Sequence, residues 1–329
     1  MHQFDISRCK VISTAAKSDR EVIDYGVRMV GAPLEWNETK GEGVKVGIID
    51  TGVDSDHIEL KGRIKDGVNF SGGSKDNFED ENGHGTHIAG IVAAEHNGVG
   101  VIGVAPKADL YIAKAFGEDG KTDYPAIEKS VRWLEDRKVD VINMSFSSTY
   151  TSASYRNLIV DAHKRGISII CAAGNEGELG SNTIGYPASY AETVAVSAVD
   201  INKNIAEFSS RGRAAEICAA GKDVYSTYLG GGYATLSGTS MACPIITGAV
   251  AILMAKGYLR YGRRLTPEEI RLLLNIYTEK PGIRGRDDSY GYGIFSFGRI
   301  ASEEYIYSGI SQNRPSSDFV TAMLLAMLS

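Results

Sequence analysis

Short apolar runs that alternate with helical patterns constrain the fold of this chain more than any other feature. Each run is apolar on both faces, as in a strand that is covered on both sides of a sheet. Between two runs, residues 126–138 place Ile127, Val131 and Leu134 on one helical face. This alternation predicts a doubly wound α/β fold, with a mostly parallel sheet and helices on both faces. The predicted strands are residues 44–50, 110–116, 139–145, 167–173 and 193–199.

Charge and hydropathy exclude several classes of partner. The net charge is −6, and no run of five or six like charges offers a basic face to nucleic acid. We find no apolar run near the ~20 residues that a membrane helix needs, and take residues 319–328 as the longest candidate. Residues 1–18 lack the apolar core and cleavage site of a secretory signal. We therefore expect a cytoplasmic protein without membrane contact.

The four cysteines are scattered along the chain, and none forms a Cys-x-x-Cys pair. This spacing argues against a zinc site and against a disulfide framework. We expect Cys171 and Cys243 to be buried as small apolar side chains. The role of Cys9 stays open at this point.

Two motifs place a reactive side chain at the edge of the predicted sheet. Asp50 ends an apolar strand, where open α/β sheets have their ligand crevice. Its carboxylate can orient a histidine, or it can cap the following turn. Ser240 precedes a long apolar helix, where a hydroxyl can act as a nucleophile beside free N–H groups or as an ordinary N-cap.

A third motif, "GHGTHIAG" at residues 83–90, contains two histidines at the start of a predicted helix. A zinc-binding pair of this kind needs histidines four residues apart with a glutamate between them. Here His87 follows His84 by three residues, and Gly85 stands where the glutamate should be. The motif therefore favours proton transfer by His84 and a structural role for His87.

Asn175 supplies the remaining group that acyl transfer requires. It follows the predicted strand 167–173 in a glycine-containing loop, where its amide can donate to an oxyanion without adding charge. A hydroxyl nucleophile, a general base, a carboxylate that orients the base and an amide donor are then all present.

At these motifs the chain resembles the subtilisin-like serine proteases over about residues 22–300. The family's signatures are matched, in its order, by "DTGVDSDH", "NGHGTHIAG", "VAPKADLYIAKAF", "AAGNEG" and "GTSMACP". The resemblance implies an endopeptidase in which Ser240 attacks the peptide carbonyl, His84 moves the proton and Asp50 orients the imidazole. It also implies that Asn175 and the backbone N–H of Ser240 bind the oxyanion. The alternative is a catalytically silent member of the fold that binds or regulates other proteins.

The resemblance also implies where a polypeptide substrate binds. Residues 120–126 resemble the strand that pairs with the substrate backbone, and Tyr124 would line the pocket four residues before the scissile bond. Serines stand at 147 and 148, where the family usually has glycine. Gly185 would leave depth for a large apolar P1 side chain, within otherwise broad specificity, and the peptide bond 186–187 would be cis. The residues implied to contact the substrate are Gly120, Tyr124, Ser145, Phe146, Gly174 and Gly185.

A structural calcium site is implied as well, because residues 95–106 resemble the family's calcium loop. Oxygen donors of this number suit calcium. The family usually has aspartate at position 59, a ligand near the amino terminus cannot be placed, and a loop without metal is the alternative. The implied ligands are the side chains of Glu59 and Asn97 and the carbonyls of Glu95, Val99 and Val101.

The catalytic pattern begins within about twenty residues of Met1. In this arrangement the chain most resembles the intracellular subtilisins. We divide the chain into a short amino-terminal extension (1–20), a catalytic domain (21–300) and a tail (301–329). The extension lacks the proline-containing motif of that group, yet by the same resemblance it can lie across the cleft and inhibit. The tail is expected to support a homodimer.

Overall fold

A computed structural model describes residues 3–6, 9–15, 20–280 and 285–299. The tail 301–329, including the apolar stretch 319–328, lies outside the described residues. The strands of the described part are β1 (Gln3–Asp5), β2 (Lys10–Ala15), β3 (Lys45–Asp50), β4 (Ile64–Asn69), β5 (Asp109–Lys114), β6 (Lys121–Asp123), β7 (Val141–Met144), β8 (Ser168–Ala172), β9 (Val194–Val199), β10 (Ala215–Ala220), β11 (Val224–Tyr228), β12 (Gly232–Ser237), β13 (Thr278–Glu279) and β14 (Ile294–Phe295). The helices are α1 (Tyr25–Met29), α2 (Ala32–Glu35), α3 (His84–Ala93), α4 (Tyr124–Asp136), α5 (Ala153–Lys164), α6 (Thr239–Tyr261) and α7 (Pro267–Ile276).

The central sheet has nine strands in the order β13-β14-β10-β9-β8-β7-β3-β5-β4. All neighbours from β14 to β4 pair in parallel, and the end pair β13–β14 is antiparallel. Strands β7, β8 and β9 are buried along their whole length, as their apolar residues on both faces predict. The five predicted strands coincide with β3, β5, β7, β8 and β9 to within two residues at each end.

Helices cover both faces of this sheet. Helices α3, α6 and α7 contribute to the core on one face, and α4 and α5 to the core on the other. Ile127, Val131 and Leu134 of α4 are completely buried there, which confirms the helical face predicted for residues 126–138. Burial of a side chain of this size contributes about 1.5–3 kcal/mol. The doubly wound α/β prediction is confirmed.

Helix α6 corrects the expectation that the longest apolar stretch is residues 319–328. Within the described residues, α6 is 23 residues long and apolar enough in composition to cross a membrane. However, 89% of its apolar window is buried inside the protein. An α-helix that is apolar on all sides is also what the centre of a large soluble fold requires. Its packing against α3 and the strands β7 to β10 identifies it as a core helix.

Two small sheets bring the amino-terminal residues to the carboxyl edge of the central sheet. Strand β1 pairs with β6, which follows β5, and the two are antiparallel. Strand β2 pairs with β12, which leads directly into α6. The six side chains of β2 are exposed. The predicted extension thus supplies an edge strand on each side of the region where β3 and α6 meet.

Candidate active site

Asp50 and His84 are joined where β3 ends and α3 begins. His84 Nδ1 donates to Asp50 Oδ1 over 2.7 Å, and both side chains are buried. The same oxygen accepts the N–H of Thr51 at 2.8 Å, so the carboxylate both caps the turn and orients the imidazole. Burial, the largest single effect, opposes a charge on His84, but the charge and hydrogen bond of Asp50 together with the contact of Cys9 outweigh it. The pKa of His84 therefore lies well above its ordinary value.

Gly85 allows α3 to start directly against the loop after β3. A Cβ atom at this position would lie 2.1 Å from the carbonyl oxygen of Gly52. The N–H of Gly85 also donates to Thr51 Oγ1 over 2.9 Å. This close approach fixes the direction in which His84 leaves the helix.

His87 has structural contacts, in agreement with the sequence analysis. Its Nε2 lies 3.2 Å from the carbonyl of Val224 and 3.0 Å from that of Ala234, so it donates to β11 and β12. Burial lowers the pKa of His87 to about 3, which keeps the ring neutral. In the described part of the chain, no cluster of three His, Cys, Asp or Glu side chains could hold a metal.

Ser240 is the second residue of α6 and lies beside the end of β7. Its hydroxyl donates to the carbonyl of Ser145 at 2.9 Å, and the hydroxyl of Ser145 donates to the carbonyl of Ser240 at 3.0 Å. The N-cap of α6 is Gly238, without a side-chain cap, so Ser240 does not serve as one. Among the described residues Ser240 Oγ has no hydrogen bond to His84. The Nε2 of His84 instead lies 3.5 Å from the Sγ of Cys9.

The amide of Asn175 is held with its N–H₂ group towards the start of α6. Its Oδ1 accepts the N–H of Thr239 at 2.9 Å and the hydroxyl of Thr239 at 3.0 Å. Its Nδ2 lies 3.3 Å from the position that a Cβ atom would take at Gly238. An amide fixed through its oxygen presents its donor side to a group that approaches Ser240.

A cleft at this edge of the sheet encloses a free volume of about 20 Å³. Asn175 and Ser240 line it, together with Asp5 and Ile6 of the amino-terminal residues. Phe146 and Gly174, which the resemblance assigns to substrate binding, also line the cleft. Ser147 and Glu176 line it beside them.

The remaining sequence-derived subsite residues flank this cleft. Gly120 precedes β6 and has a φ of +70°, and Tyr124 is the first residue of α4. A Cβ atom at Gly185 would lie 2.2 Å from the hydroxyl oxygen of Ser147, which therefore narrows the pocket at that glycine. The peptide bond Tyr186–Pro187 is cis, as the resemblance implies.

The amino-terminal residues lie in the cleft as an added strand. In β1, Phe4 pairs with Thr122, and Asp5 forms an antiparallel bridge with Ser147. The N–H of Ile6 donates to the carbonyl of Gly120 at 3.0 Å. Residues 4–6 therefore run between the two edges that the resemblance assigns to the substrate backbone.

Phe4 anchors this strand in an aromatic pocket. It is completely buried, and its ring meets those of Phe146, Tyr150 and Tyr155 edge-on at centroid distances of 5.8, 5.9 and 5.5 Å. Tyr124 lies in the same cluster, 5.5 Å from Tyr155. The role of Phe4 could not be predicted from the sequence, because an isolated aromatic residue near a chain end carries no local signal.

Cys9 is hydrogen-bonded back to this segment. The N–H of Cys9 donates to the carbonyl of Ile6 over 3.2 Å, and β2 begins at the next residue. Cys9, whose role the sequence leaves open, therefore lies in the candidate active site beside His84.

Glu59 is the centre of the implied calcium site. It is completely buried; its Oε1 accepts the N–H of Val101 at 2.9 Å and the hydroxyl of Tyr233 at 2.7 Å. Its Oε2 has no hydrogen-bond partner within the described residues. Burial raises the pKa of Glu59 to about 7, and the nearby carboxylates of Glu21 and Glu95 act in the same direction. A cation would neutralise the carboxylate of Glu59.

The other implied donors lie in the adjoining loop. The carbonyls of Glu95, Val99 and Val101 accept no hydrogen bond from any described residue. Asn97 Oδ1 accepts the N–H of Val99 at 3.1 Å. Glu21 is a carboxylate near the amino terminus that reaches this loop, where it accepts the N–H of Asn97 at 2.9 Å. A set of oxygen donors, mostly main-chain, with an unneutralised carboxyl fits calcium.

Comparison with known proteins places the chain among serine proteases. The sequence model of the subtilase family (peptidase S8) matches residues 41–293. An intracellular serine protease of Paenibacillus polymyxa is 41% identical over 261 residues, which cover 77% of this chain and 80% of the relative. The major intracellular serine protease of Bacillus subtilis (strain 168) is 37% identical over 259 residues, 77% and 81% of the two chains. Subtilisin DY of Bacillus licheniformis is 44% identical over 238 residues, 72% and 86% of the two chains.

Proposed function

Since the chain belongs to the subtilase family and is a serine endopeptidase, we propose that Asp50, His84 and Ser240 are its catalytic triad. The observation that carries this assignment is the 2.7 Å hydrogen bond between Asp50 and His84 at the sheet edge where α6 presents Ser240. In this arrangement His84 takes the proton of Ser240 as the hydroxyl attacks the peptide carbonyl, and then gives it to the leaving amine. Asp50 holds the tautomer and stabilises the imidazolium.

We propose that Asn175 and the backbone N–H of Ser240 bind the oxyanion. The amide oxygen of Asn175 is occupied by Thr239, which leaves Nδ2 to donate. The N–H of Ser240 has no partner among the described residues, and it lies in the first turn of α6, where the helix dipole favours negative charge.

The proposed substrate is a polypeptide bound in an extended conformation. Its backbone would pair with β6 on one side and with residues 145–148 on the other, as β1 does. Because main-chain pairing does not depend on side chains, we expect broad specificity. The pocket beside Gly185 is expected to take a large apolar P1 side chain, with the Ser147 hydroxyl limiting its width.

We further propose that the extension, residues 1–20, inhibits the enzyme in cis. Support comes from β1 in the substrate position, the buried ring of Phe4 and the contact of Cys9 with His84. The extension has to leave the cleft before Ser240 can turn towards His84. A chain without residues 2–18 should therefore hydrolyse peptides faster than the full chain, and an unchanged turnover would refute inhibition.

Calcium, cellular location and assembly are part of the same proposal. Glu59, Glu21, Asn97 and the carbonyls of the loop 95–101 would hold calcium, which would stabilise the fold through charge neutralisation without taking part in hydrolysis. Two relatives are named as intracellular, which supports a cytoplasmic enzyme. We propose a homodimer through the tail 301–329, to be tested by sedimentation of the full chain against one that ends near residue 300.

The triad is tested by labelling with a fluorophosphonate probe. We expect the chain without residues 2–18 to react, its Ser240→Ala variant to remain unlabelled, and the labelled chain to lose activity on a peptide substrate. A protein that folds but neither reacts nor cleaves peptides would be the catalytically silent alternative. Faster cleavage of simple esters, with no cleavage of peptides, would indicate an acyl hydrolase of another class.

A further inference from the structure

The sulfur of Cys9 fills the space between the catalytic histidine and the start of α6. It lies 3.5 Å from His84 Nε2, the atom that Ser240 has to reach. It also lies 2.9 Å from the position of a Cβ atom at Gly238, so that it is packed against the main chain there. The thiol thus takes the place of the Ser240 hydroxyl as the partner of the imidazole, while Ser240 bonds to Ser145.

The position of this sulfur is fixed from both directions along the chain. On one side, β1 is paired with β6 and anchored by Phe4. On the other side, Lys10 pairs with Ser237 and Val11 with Leu236 at the start of β2. A group added to the sulfur cannot be accommodated by a small movement of one loop, since strands hold the chain before and after it.

Reactivity also distinguishes Cys9 from the other cysteines. Cys171, Cys218 and Cys243 are buried, and burial raises the pKa of each thiol, to about 12 for Cys243. Cys9 is partly exposed, and its sulfur lies 3.5 Å from the imidazole of His84, which can accept the thiol proton during exchange.

We propose that Cys9 is a thiol-disulfide exchange site through which a low-molecular-weight disulfide releases the inhibitory extension. This inference rests on the proposed function of the same site. The Cys9 sulfur attacks one sulfur of the disulfide; a new S–S bond forms and the old one breaks. The leaving thiolate takes a proton from the Cys9–His84 pair and departs as a thiol. The exchange leaves Cys9 in a mixed disulfide and His84 as a neutral base.

Release follows from the space around the sulfur. The substituent in the mixed disulfide meets the main chain of Gly238, so the extension has to move outward. Strand β2 opposes this outward movement only weakly, because its six side chains are exposed and it is held mainly by main-chain pairing with β12. Once the sulfur leaves, the hydroxyl of Ser240 can turn from Ser145 to His84. A thiol reductant reverses the exchange and restores the inhibited state.

The test uses the full chain and oxidised glutathione, with excess reagent removed before assay. We expect the mixed disulfide at Cys9, located by mass spectrometry, to accompany a rise of about ten-fold or more in the initial rate on a quenched peptide. Dithiothreitol should reverse both. Cys9→Ser removes the reactive atom and keeps a small hydroxyl, so it should show no response. The chain without residues 2–18 should be active and equally unresponsive.

A second measurement does not depend on activity. In the full chain carrying Ser240→Ala, modification of Cys9 should increase amide hydrogen exchange in residues 3–6 and 10–15. Unchanged exchange in a chain fully modified at Cys9 overturns the proposal, as does failure of Cys9 to react or an equal rate increase in Cys9→Ser. If exchange increases while the shortened chain neither cleaves peptides nor reacts with the fluorophosphonate, the release mechanism stands and the proposed function fails.

Discussion

The hydroxyl of Ser240 donates to the main-chain carbonyl of Ser145 at 2.9 Å instead of to His84. The imidazole is nevertheless oriented, because Asp50 binds its other nitrogen at 2.7 Å. In the proposed triad the base is therefore in place and the nucleophile is turned away, and the thiol of Cys9 lies beside the imidazole. Rotation of one serine side chain, after Cys9 has left, completes the arrangement for acyl transfer.

Replacing Ser240 by alanine should abolish peptide hydrolysis in the chain without residues 2–18. In subtilisin, a member of the same family, loss of this serine lowers kcat by about 10⁶. We expect a loss of that order, measured as kcat on a quenched peptide. Ser130→Ala is a matched control, because Ser130 is buried in α4 and donates only to Ala126. Substantial residual turnover in Ser240→Ala would exclude this residue as the nucleophile.

Replacing Asn175 by alanine should lower kcat with little change in KM. The donor binds a charge that develops only in the transition state, so its loss does not weaken ground-state binding. In subtilisin the corresponding loss is about 10²–10³ in kcat. Steady-state kinetics on the shortened chain separate the two constants. An increase in KM at constant kcat would instead assign Asn175 to substrate binding.

Replacing Phe4 by alanine in the full chain should raise the initial rate of peptide cleavage. Phe4 is completely buried in the aromatic pocket, and burial of such a ring contributes about 1.5–3 kcal/mol. Its loss should therefore increase the fraction of molecules with an open cleft about ten-fold or more. The measurement is the initial rate of peptide cleavage by the full-length chain. Mass spectrometry shows that the chain has not been shortened during the assay. Val11→Ala is the control in the same extension, because that side chain is 47% exposed. Equal rates in the two variants would argue against Phe4 as the anchor.

Local patterns made part of this site predictable. Asp50, Asn175 and Ser240 each lie next to a long apolar run, so strand and helix ends could be read from the sequence. The contacts of Cys9 could not, because they depend on a pairing between Ile6 and Gly120, which are far apart in the chain. Glu21 is separated from Asn97 by 76 residues for the same reason. Pairing across such distances is set by tertiary structure, and no periodicity of the sequence encodes it.

The prediction of long apolar segments from hydropathy was limited for a different reason. The apolar length of α6 was underestimated because small residues and serine or threonine dilute its first turns, although the structure buries nearly all of it. A core helix in a large α/β protein and a membrane helix both require apolar residues on all sides. The distinction rests on the strands and helices that surround α6, which only the assembled fold provides.

Calcium should raise the melting temperature of the protein through Glu59. Its buried Oε2 has no partner among the described residues, so a bound cation supplies an interaction that the folded protein otherwise lacks. At a calcium concentration of 100 times Kd, binding to the folded state alone adds about 2.7 kcal/mol, or several degrees. Glu59→Gln keeps an oxygen for Val101 and Tyr233 but removes the charge, and should abolish most of the response. Thermal unfolding in calcium and in chelator, in a Ser240→Ala background to prevent self-digestion, measures the effect.

The matched control for that experiment is Glu95→Gln in the same loop. The carboxylate of Glu95 forms an ion pair with Arg63 at 3.0 Å, while its main-chain carbonyl is the proposed ligand. The substitution should therefore lower stability slightly in the chelator and keep most of the calcium response. If Glu59→Gln and the parent respond equally to calcium, the cation binds elsewhere. If neither responds, the loop 95–101 is stable without metal, and the buried carboxyl of Glu59 is held by its two hydrogen bonds alone.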